Sequence, residues 1–247
     1  MYEFNAEKIK QDIIDWIECW FMLNGGKDTP AIIGISGGKD STICAALLIE
    51  ALGKDRVIGV TMPQGENYET DSAYEVANYL KIPLFNIDIE DACIKILKDV
   101  SKLGDLISQT VENVPPRIRM TYLYAISSVY NGRVCNCSNL SEDYVGYTTK
   151  WGSGGDFAPI ADLTVSEVRQ IGLALEIPEH LVNKIPHDGL QGKSDEEKLG
   201  LTYKDIDRYI RSEGKDVSDI EITNKITKMH LANRHKFEPI PRYKKKI

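Results

Sequence analysis

The amino-acid sequence predicts an α/β fold, a parallel sheet covered by helices on both faces, with further helices towards the C-terminus. Three observations carry this. Strand-like runs recur at 31–35, 57–62 and 83–88 without the strict alternation of a half-exposed sheet. Segments with helical apolar spacing separate them, which is the order of a βαβ chain. The first run ends in Ser36-Gly37-Gly38 directly ahead of a helix, the turn that such folds place at a ligand site.

Taken in order, residues 5–23 carry Ile9, Ile13, Ile14, Trp16, Ile17 and Trp20 at helical spacing, and Asn24-Gly25-Gly26 stops them. Ala31 to Ile35 is the first strand, and Thr42 to Leu52 the first crossover helix, ended by Gly53. The second strand ends at Pro63. Residues 68–81 form a helix with Ala73, Val76, Ala77 and Leu80 inward, and 90–102 form another after the third strand. Pro115-Pro116 is read as the first turn of a helix through Tyr130. A fourth strand, 133–136, delivers Cys137 to Glu142 as a loop, and 148–162 is glycine-rich. Thr164 or Ser166 caps a helix to about Leu175, with Glu167 near a capping-box position. Pro178 opens a short helix, 186–200 is a polar loop, and helices at 202–212 and 217–233 precede a proline-containing tail.

Composition excludes some classes. Hydrophobic content of 42% and charged content of 27% are those of an ordinary globular protein, and no run is long enough for a membrane span. Met1 to Phe4 does not begin a signal peptide. A net charge of −7 opposes nucleic acid as the main partner, and Lys244-Lys245-Lys246 reads as a solvated tail. The five cysteines are scattered. Cys19 and Cys44 fall on apolar helix faces and are read as packing residues. Cys135-x-Cys137 is too small for a zinc site without partners. Free thiols in a reducing cytoplasm are the expectation.

A strand, a glycine turn and a helix N-terminus make an anion site, because unpaired N–H groups and the positive helix end converge there. Gly37 and Gly38 let the backbone wrap a phosphate, and Ser36 and Ser41 add hydroxyl donors. A Walker A loop is excluded, since Asp40 follows Gly38-Lys39 and Ile33 stands where its first glycine belongs. Ser-Gly-Gly-x-Asp-Ser after a buried strand resembles the pyrophosphate loop of the ATP pyrophosphatase superfamily. Its members cleave ATP between the α and β phosphates and adenylate a substrate.

The second half narrows the substrate. Asn113 to Met120, Ser138 to Glu142, Gly146 to Gly152, Asp188-Gly189-Leu190, Lys193 to Gly200 and His235-Lys236 follow one another in order. The succession resembles the NAD synthetase family over about residues 5 to 240. The resemblance implies a Rossmann-like fold, one domain over 1–247, with a nucleotide-binding core at about 30–200 and a helical part at 201–247. It implies that the nicotinate carboxylate of deamido-NAD attacks the α-phosphorus of ATP, and that ammonia then displaces AMP. Substrates supply the nucleophiles, so no covalent catalytic residue is expected; positioning and charge neutralisation are.

Residue by residue, the resemblance assigns ATP to Gly34, Ile35, Ser36, Gly37, Gly38, Lys39, Asp40 and Ser41, and Mg²⁺ to Asp40 and Glu142. It assigns deamido-NAD to Arg117, Lys150, Asp156, His235 and Lys236. Standing alone, Glu142, Arg117 and Lys150 can also be read as solvated charges, Asp156 as an Asx turn and His235 as an exposed histidine. Three further ATP positions depart from the family: Cys137 and His187 stand where relatives often have Thr, and Val165 where they often have Lys. Lys193 to Glu196 resemble a loop that closes over the site.

Glutamine-dependent relatives carry a long N-terminal amidase domain, and 30 residues precede strand one here, so ammonia, free or from a separate partner, is the expected nitrogen donor. The apolar helices at 115–130 and 217–233 fit a homodimer. Other readings of the loop are a GMP-synthetase-like or tRNA-thiolating enzyme, or a non-catalytic nucleotide sensor. The paired carboxylates Asp40 and Glu142 oppose the sensor.

Overall fold

The computed structural model describes residues 3–65, 69–183 and 194–244. Four parallel strands form one sheet: β1 (Ala31–Gly34), β2 (Val57–Thr61), β3 (Leu84–Asn86) and β4 (Arg133–Val134), in the order β3-β2-β1-β4. Ala31 pairs with Val57 on one side and with Arg133 on the other. The chain therefore winds outward from β1 through β3 and then returns to the far side of β1. That reversal puts a topological switch point between β1 and β4, and a crevice opens beyond their carboxyl ends.

Alternation along β1 explains why both faces are covered. Ala31, Ile33 and Ile35 point into one core, with Ile17, Phe21, Leu47 and Ile171. There α1 (Ala6–Asn24), α2 (Lys39–Leu52), α3 (Glu69–Leu80), α7 (Val165–Ala174) and α8 (Glu179–Val182) pack. Ile32 points to the other side, against Ile58, Val60, Leu123 and Val134, under α4 (Glu90–Val100) and α5 (Ser108–Tyr130). A third cluster of Val145, Val165, Leu199, Leu201, Tyr203, Ile206 and Ile226 joins α6 (Leu140–Val145), α9 (Asp195–Leu199), α10 (Tyr203–Ser212) and α11 (Ile220–Asn233).

Several elements differ from the sequence reading. Helix α2 starts at Lys39 rather than Thr42, because the polar Lys-Asp-Ser run is its first turn, where Asp40 complements the dipole. Helix α5 starts at Ser108, so Pro115 and Pro116 lie two turns inside it instead of opening it. Each proline forfeits one donor there, and their packing makes the site tolerable: Pro115 is buried and Pro116 lies against Gly152. Residues 140–145 are helical, not loop, because Asn139 caps them, its side chain accepting the Glu142 N–H at 3.0 Å. The end of the expected 186–200 loop is α9, begun by a capping box between Ser194 and Glu197. Strands β3 and β4 are shorter than read. Beyond Val134, Cys135 still donates to the Ile32 carbonyl of β1 at 2.9 Å, while Asn136 donates on the opposite edge to the Phe157 carbonyl at 2.9 Å.

Candidate active site

The site is built on the turn after β1. Gly38 caps α2 with an extended backbone and no side-chain hydrogen bond, so no side chain competes for the first-turn N–H groups. Gly37 has φ of +77°, and a Cβ there would stand 2.5 Å from Ser72 Cβ on α3. Only glycine gives both the left-handed turn and that approach. Ser36 Oγ and Ser41 Oγ are 3.2 Å apart, and the Gly38 N–H donates to Ser36 Oγ at 3.2 Å, so the hydroxyls brace the loop.

Charge is concentrated just beside it. Lys39 is 1% exposed, with Nζ 2.7 Å from Asp40 Oδ2 and 3.8 Å from Glu142 Oε1. Burial alone would depress the ammonium, but the two carboxylates outweigh it and hold the pKa above the ordinary lysine value. Burial, and then the Asp40 charge, push Glu142 up to about 7. Asn139, fully buried, spans the pair: its amide donates to Asp40 Oδ1 at 3.4 Å while its oxygen caps α6 at Glu142. The first strand's turn and the segment after β4 thereby bring two carboxylates to one buried ammonium. Behind them, Lys39 Nζ lies 5.9 Å from the Tyr203 ring, and the Tyr147 hydroxyl donates to Asp195 at 2.9 Å, so the C-terminal helices close the back of the site.

A cavity of about 1410 Å³ opens from this point. Gly34, Ile35, Ser36, Gly38, Asp40, Ser41, Cys137 and Glu142 line it. So does Lys236, whose Nζ donates to the Gly146 and Thr148 carbonyls at 2.7 and 3.0 Å and whose pKa burial lowers. Arg117, Lys150 and His235 form an outer chain: Arg117 Nε donates to the Lys150 carbonyl at 3.2 Å, and Lys150 Nζ to the His235 carbonyl at 2.7 Å.

Two expected residues fall elsewhere. Asp156 braces the sheet edge, its carboxylate accepting the Val134 N–H at 2.7 Å. Val165 is fully buried in the third core, where its N–H donates to Ser141 Oγ at 2.9 Å. His187 and Lys193 lie outside the described residues. Sequence reasoning missed Asn139 and Arg119. Asn139-x-x-Glu142 is a helix-start pattern and could have been found. Arg119 lines the cavity and donates to the Met62 carbonyl at 3.0 Å, and its position two residues from Arg117 puts it on the other side of α5.

Comparisons with known proteins identify the family and the fold. A family model described as NAD synthase matches residues 10–241. The chain is 35% identical to an NH3-dependent NAD+ synthetase of Archaeoglobus fulgidus, with 96% of each chain covered. A solved NMN synthetase from Francisella tularensis superimposes with a TM-score of 0.88 at 28% identity, over 98% of this chain and 99% of that one. An NH3-dependent NAD synthetase structure from Campylobacter jejuni has a TM-score of 0.81 at 22% identity, over 98% and 100%, a likeness of fold.

Proposed function

The chain belongs to the NAD synthase family, and from that premise we propose that it amidates deamido-NAD to NAD with ATP and ammonia. The observation that carries the reading is the meeting of the Ser36–Ser41 turn and the Asn139–Glu142 segment around buried Lys39, at the mouth of one large cavity. That cavity exceeds the roughly 300–1,000 Å³ usual for a single small ligand, so two nucleotides fit the reading.

The turn after β1 binds ATP phosphates through its N–H groups and hydroxyls. The nicotinate carboxylate attacks the α-phosphorus, pyrophosphate leaves, ammonia attacks the activated carboxyl carbon, and AMP leaves as the amide forms. Asp40 and Glu142 fit a hard divalent cation: they are two carboxylates held together, with Glu142 reluctant to ionise without a positive partner. Mg²⁺ bound there supplies charge neutralisation on the phosphate oxygens. Lys39 holds the two carboxylates in register, and Lys236, Lys150 and Arg117 offer cations to the second nucleotide. Exposed Tyr124 and Val129 on α5, with Ile220 and Leu231 on α11, support a homodimer. The free thiols support a reducing compartment. Among the described residues no helix is long and apolar enough to cross a membrane.

Product analysis with ATP, Mg²⁺, deamido-NAD and ammonium, beside an Asp40→Ala variant, tests the reading. Equal NAD, AMP and pyrophosphate, lost in the variant, are expected. The likeness to an NMN synthetase makes nicotinate mononucleotide the competing acceptor. Faster amidation of the mononucleotide would transfer the assignment to it. AMP and pyrophosphate with no amide from either acceptor would overturn the second step.

A further inference from the structure

The sequence leaves Cys44 as a packing residue and Cys135-x-Cys137 as a pair without partners, and the fold corrects both. Cys44 on α2, Cys135 at the end of β4 and Cys137 two residues on converge, with their three Sγ atoms all within 4.8 Å of one another. All three are free thiols. Cys44 is fully buried and Cys135 nearly so, whereas Cys137 is half-buried, and Cys135 and Cys137 line the cavity.

We propose that Cys44, Cys135 and Cys137 form a binding site for one soft metal ion, represented by Zn²⁺, entered from the cavity. With metal–sulfur bonds of about 2.3 Å, three sulfurs on one tetrahedral or trigonal ion stand roughly 3.8–4.0 Å apart. The observed spacing closes on a single ion with sulfur movements of about 1 Å or less. A cluster of several irons would spread the sulfurs further, in the opposite direction. A disulfide uses two thiols and strands the third. Residues two apart on extended backbone also stand at the far end of the Cα separation a disulfide tolerates, which disfavours Cys135 with Cys137.

Ligand chemistry separates this site from the carboxylates. Soft thiolates take Zn²⁺ or Cu⁺ and leave Mg²⁺ in solution, while Asp40 and Glu142 are hard oxygen donors. Three protein ligands leave one coordination position, and the exposed side of Cys137 turns it towards the cavity. The site does not depend on which nucleotide the cavity binds.

The test is Zn²⁺ binding to the reduced full-length chain, read by competition with a chromophoric chelator in the absence of nucleotide. One equivalent per chain is expected, weakened at least about 100-fold in Cys137→Ser and in Cys44→Ser and unchanged in Asp40→Ala. Co²⁺ in place of Zn²⁺ is expected to give a thiolate-to-metal charge-transfer absorption that both cysteine variants lose. Circular dichroism and melting temperature check folding; should buried Cys44→Ser unfold, the half-buried Cys137→Ser decides alone. Unchanged Zn²⁺ affinity in Cys137→Ser, or Co²⁺ bound without the charge-transfer absorption, overturns the proposal.

Discussion

At the phosphate-loop end of the cavity charged side chains hold one another, whereas along the rim cations are held by backbone carbonyls. Lys39 pairs with both Asp40 and Glu142, and Asn139 ties the Asp40 carboxylate to the start of α6. Arg117, Lys150 and Lys236 donate to the carbonyls of Lys150, His235, Gly146 and Thr148. The difference has a physical consequence. An ion pair cancels charge, so the loop end is organised before any ligand arrives but carries little field from Lys39. A neutral carbonyl positions a cation without cancelling it, so the rim keeps its positive charge, as the proposed role towards an anionic dinucleotide requires. The loop end is built to fix geometry, and the rim to attract.

The largest effect that would break this comparison is at Asp40. Removing its carboxylate takes one donor from the proposed Mg²⁺ site and leaves buried Lys39 with Glu142 alone. We expect Asp40→Ala to lower kcat at least about 100-fold, the scale seen when one preorganised electrostatic contact is lost, and to lower the melting temperature, because buried Lys39 loses its nearest counter-charge. Steady-state kinetics beside a melting curve check it. A variant with near-normal kcat would mean that the pairing is structural and that the charge for catalysis comes from the rim.

The pH dependence sharpens the same point. Burial and Asp40 hold Glu142 at about 7, above the ordinary glutamate value of 4.5. Below 7 the folded protein keeps that proton, and a divalent cation must displace it. Apparent Mg²⁺ affinity is expected to fall up to about tenfold for each unit below 7 and to level off above it. For the metal-free fold the sign is opposite to that of a depressed carboxylate. The stabilising preference for the protonated form is complete below 4.5 and is lost as pH rises to 7. Thermal shifts with Mg²⁺ at pH 6 and pH 8 check both, the larger shift being expected at pH 8. Equal shifts would place the cation away from Glu142.

How much of this was legible in the sequence follows from how local each feature is. Ser36 to Ser41 are consecutive, so the loop, its glycine requirement and Asp40, the first of the proposed metal carboxylates, could be read directly. Glu142 could be read from its segment, but its pairing with Lys39 depends on β4 lying beside β1, a tertiary fact. The start of α5 was hidden because Pro115-Pro116 locally favours a helix start, and burial of Pro115 overrides that preference. Arg119 was hidden for a related reason. Arg117 and Arg119 share one short motif, and only the orientation of α5 tells which faces the cavity. The meeting of Cys44 with Cys135 and Cys137 joins residues about 90 positions apart and has no local signature at all.

At the rim the effects should be smaller and should appear in binding. Lys150→Ala removes a cation held at 2.7 Å from the His235 carbonyl, and Arg117→Ala its neighbour. Each is expected to raise KM for the dinucleotide about five- to tenfold with kcat within about twofold, as for contacts equal in ground and transition states. The rise should shrink at high salt, since partly exposed charges are screened. A fall in kcat with KM unchanged would move these cations to the reacting end and erase the distinction between the two regions.

The smallest effect is the most discriminating. His235 serves the rim through its carbonyl, while the Nδ1 of its exposed ring lies 3.2 Å from the Ala232 carbonyl. His235→Ala keeps the carbonyl and therefore keeps Lys150 in place. Its KM for the dinucleotide should stay within about twofold of the parent, the scale of a surface substitution that touches no special feature. Measured beside Lys150→Ala, it separates two ways of using one position. If His235→Ala reproduces the full Lys150→Ala defect, the imidazole itself meets the substrate. The cations of the rim would then share their work with that side chain. If it does not, backbone anchoring is sufficient, and an Asn or Gln at 235 should serve as well as the histidine.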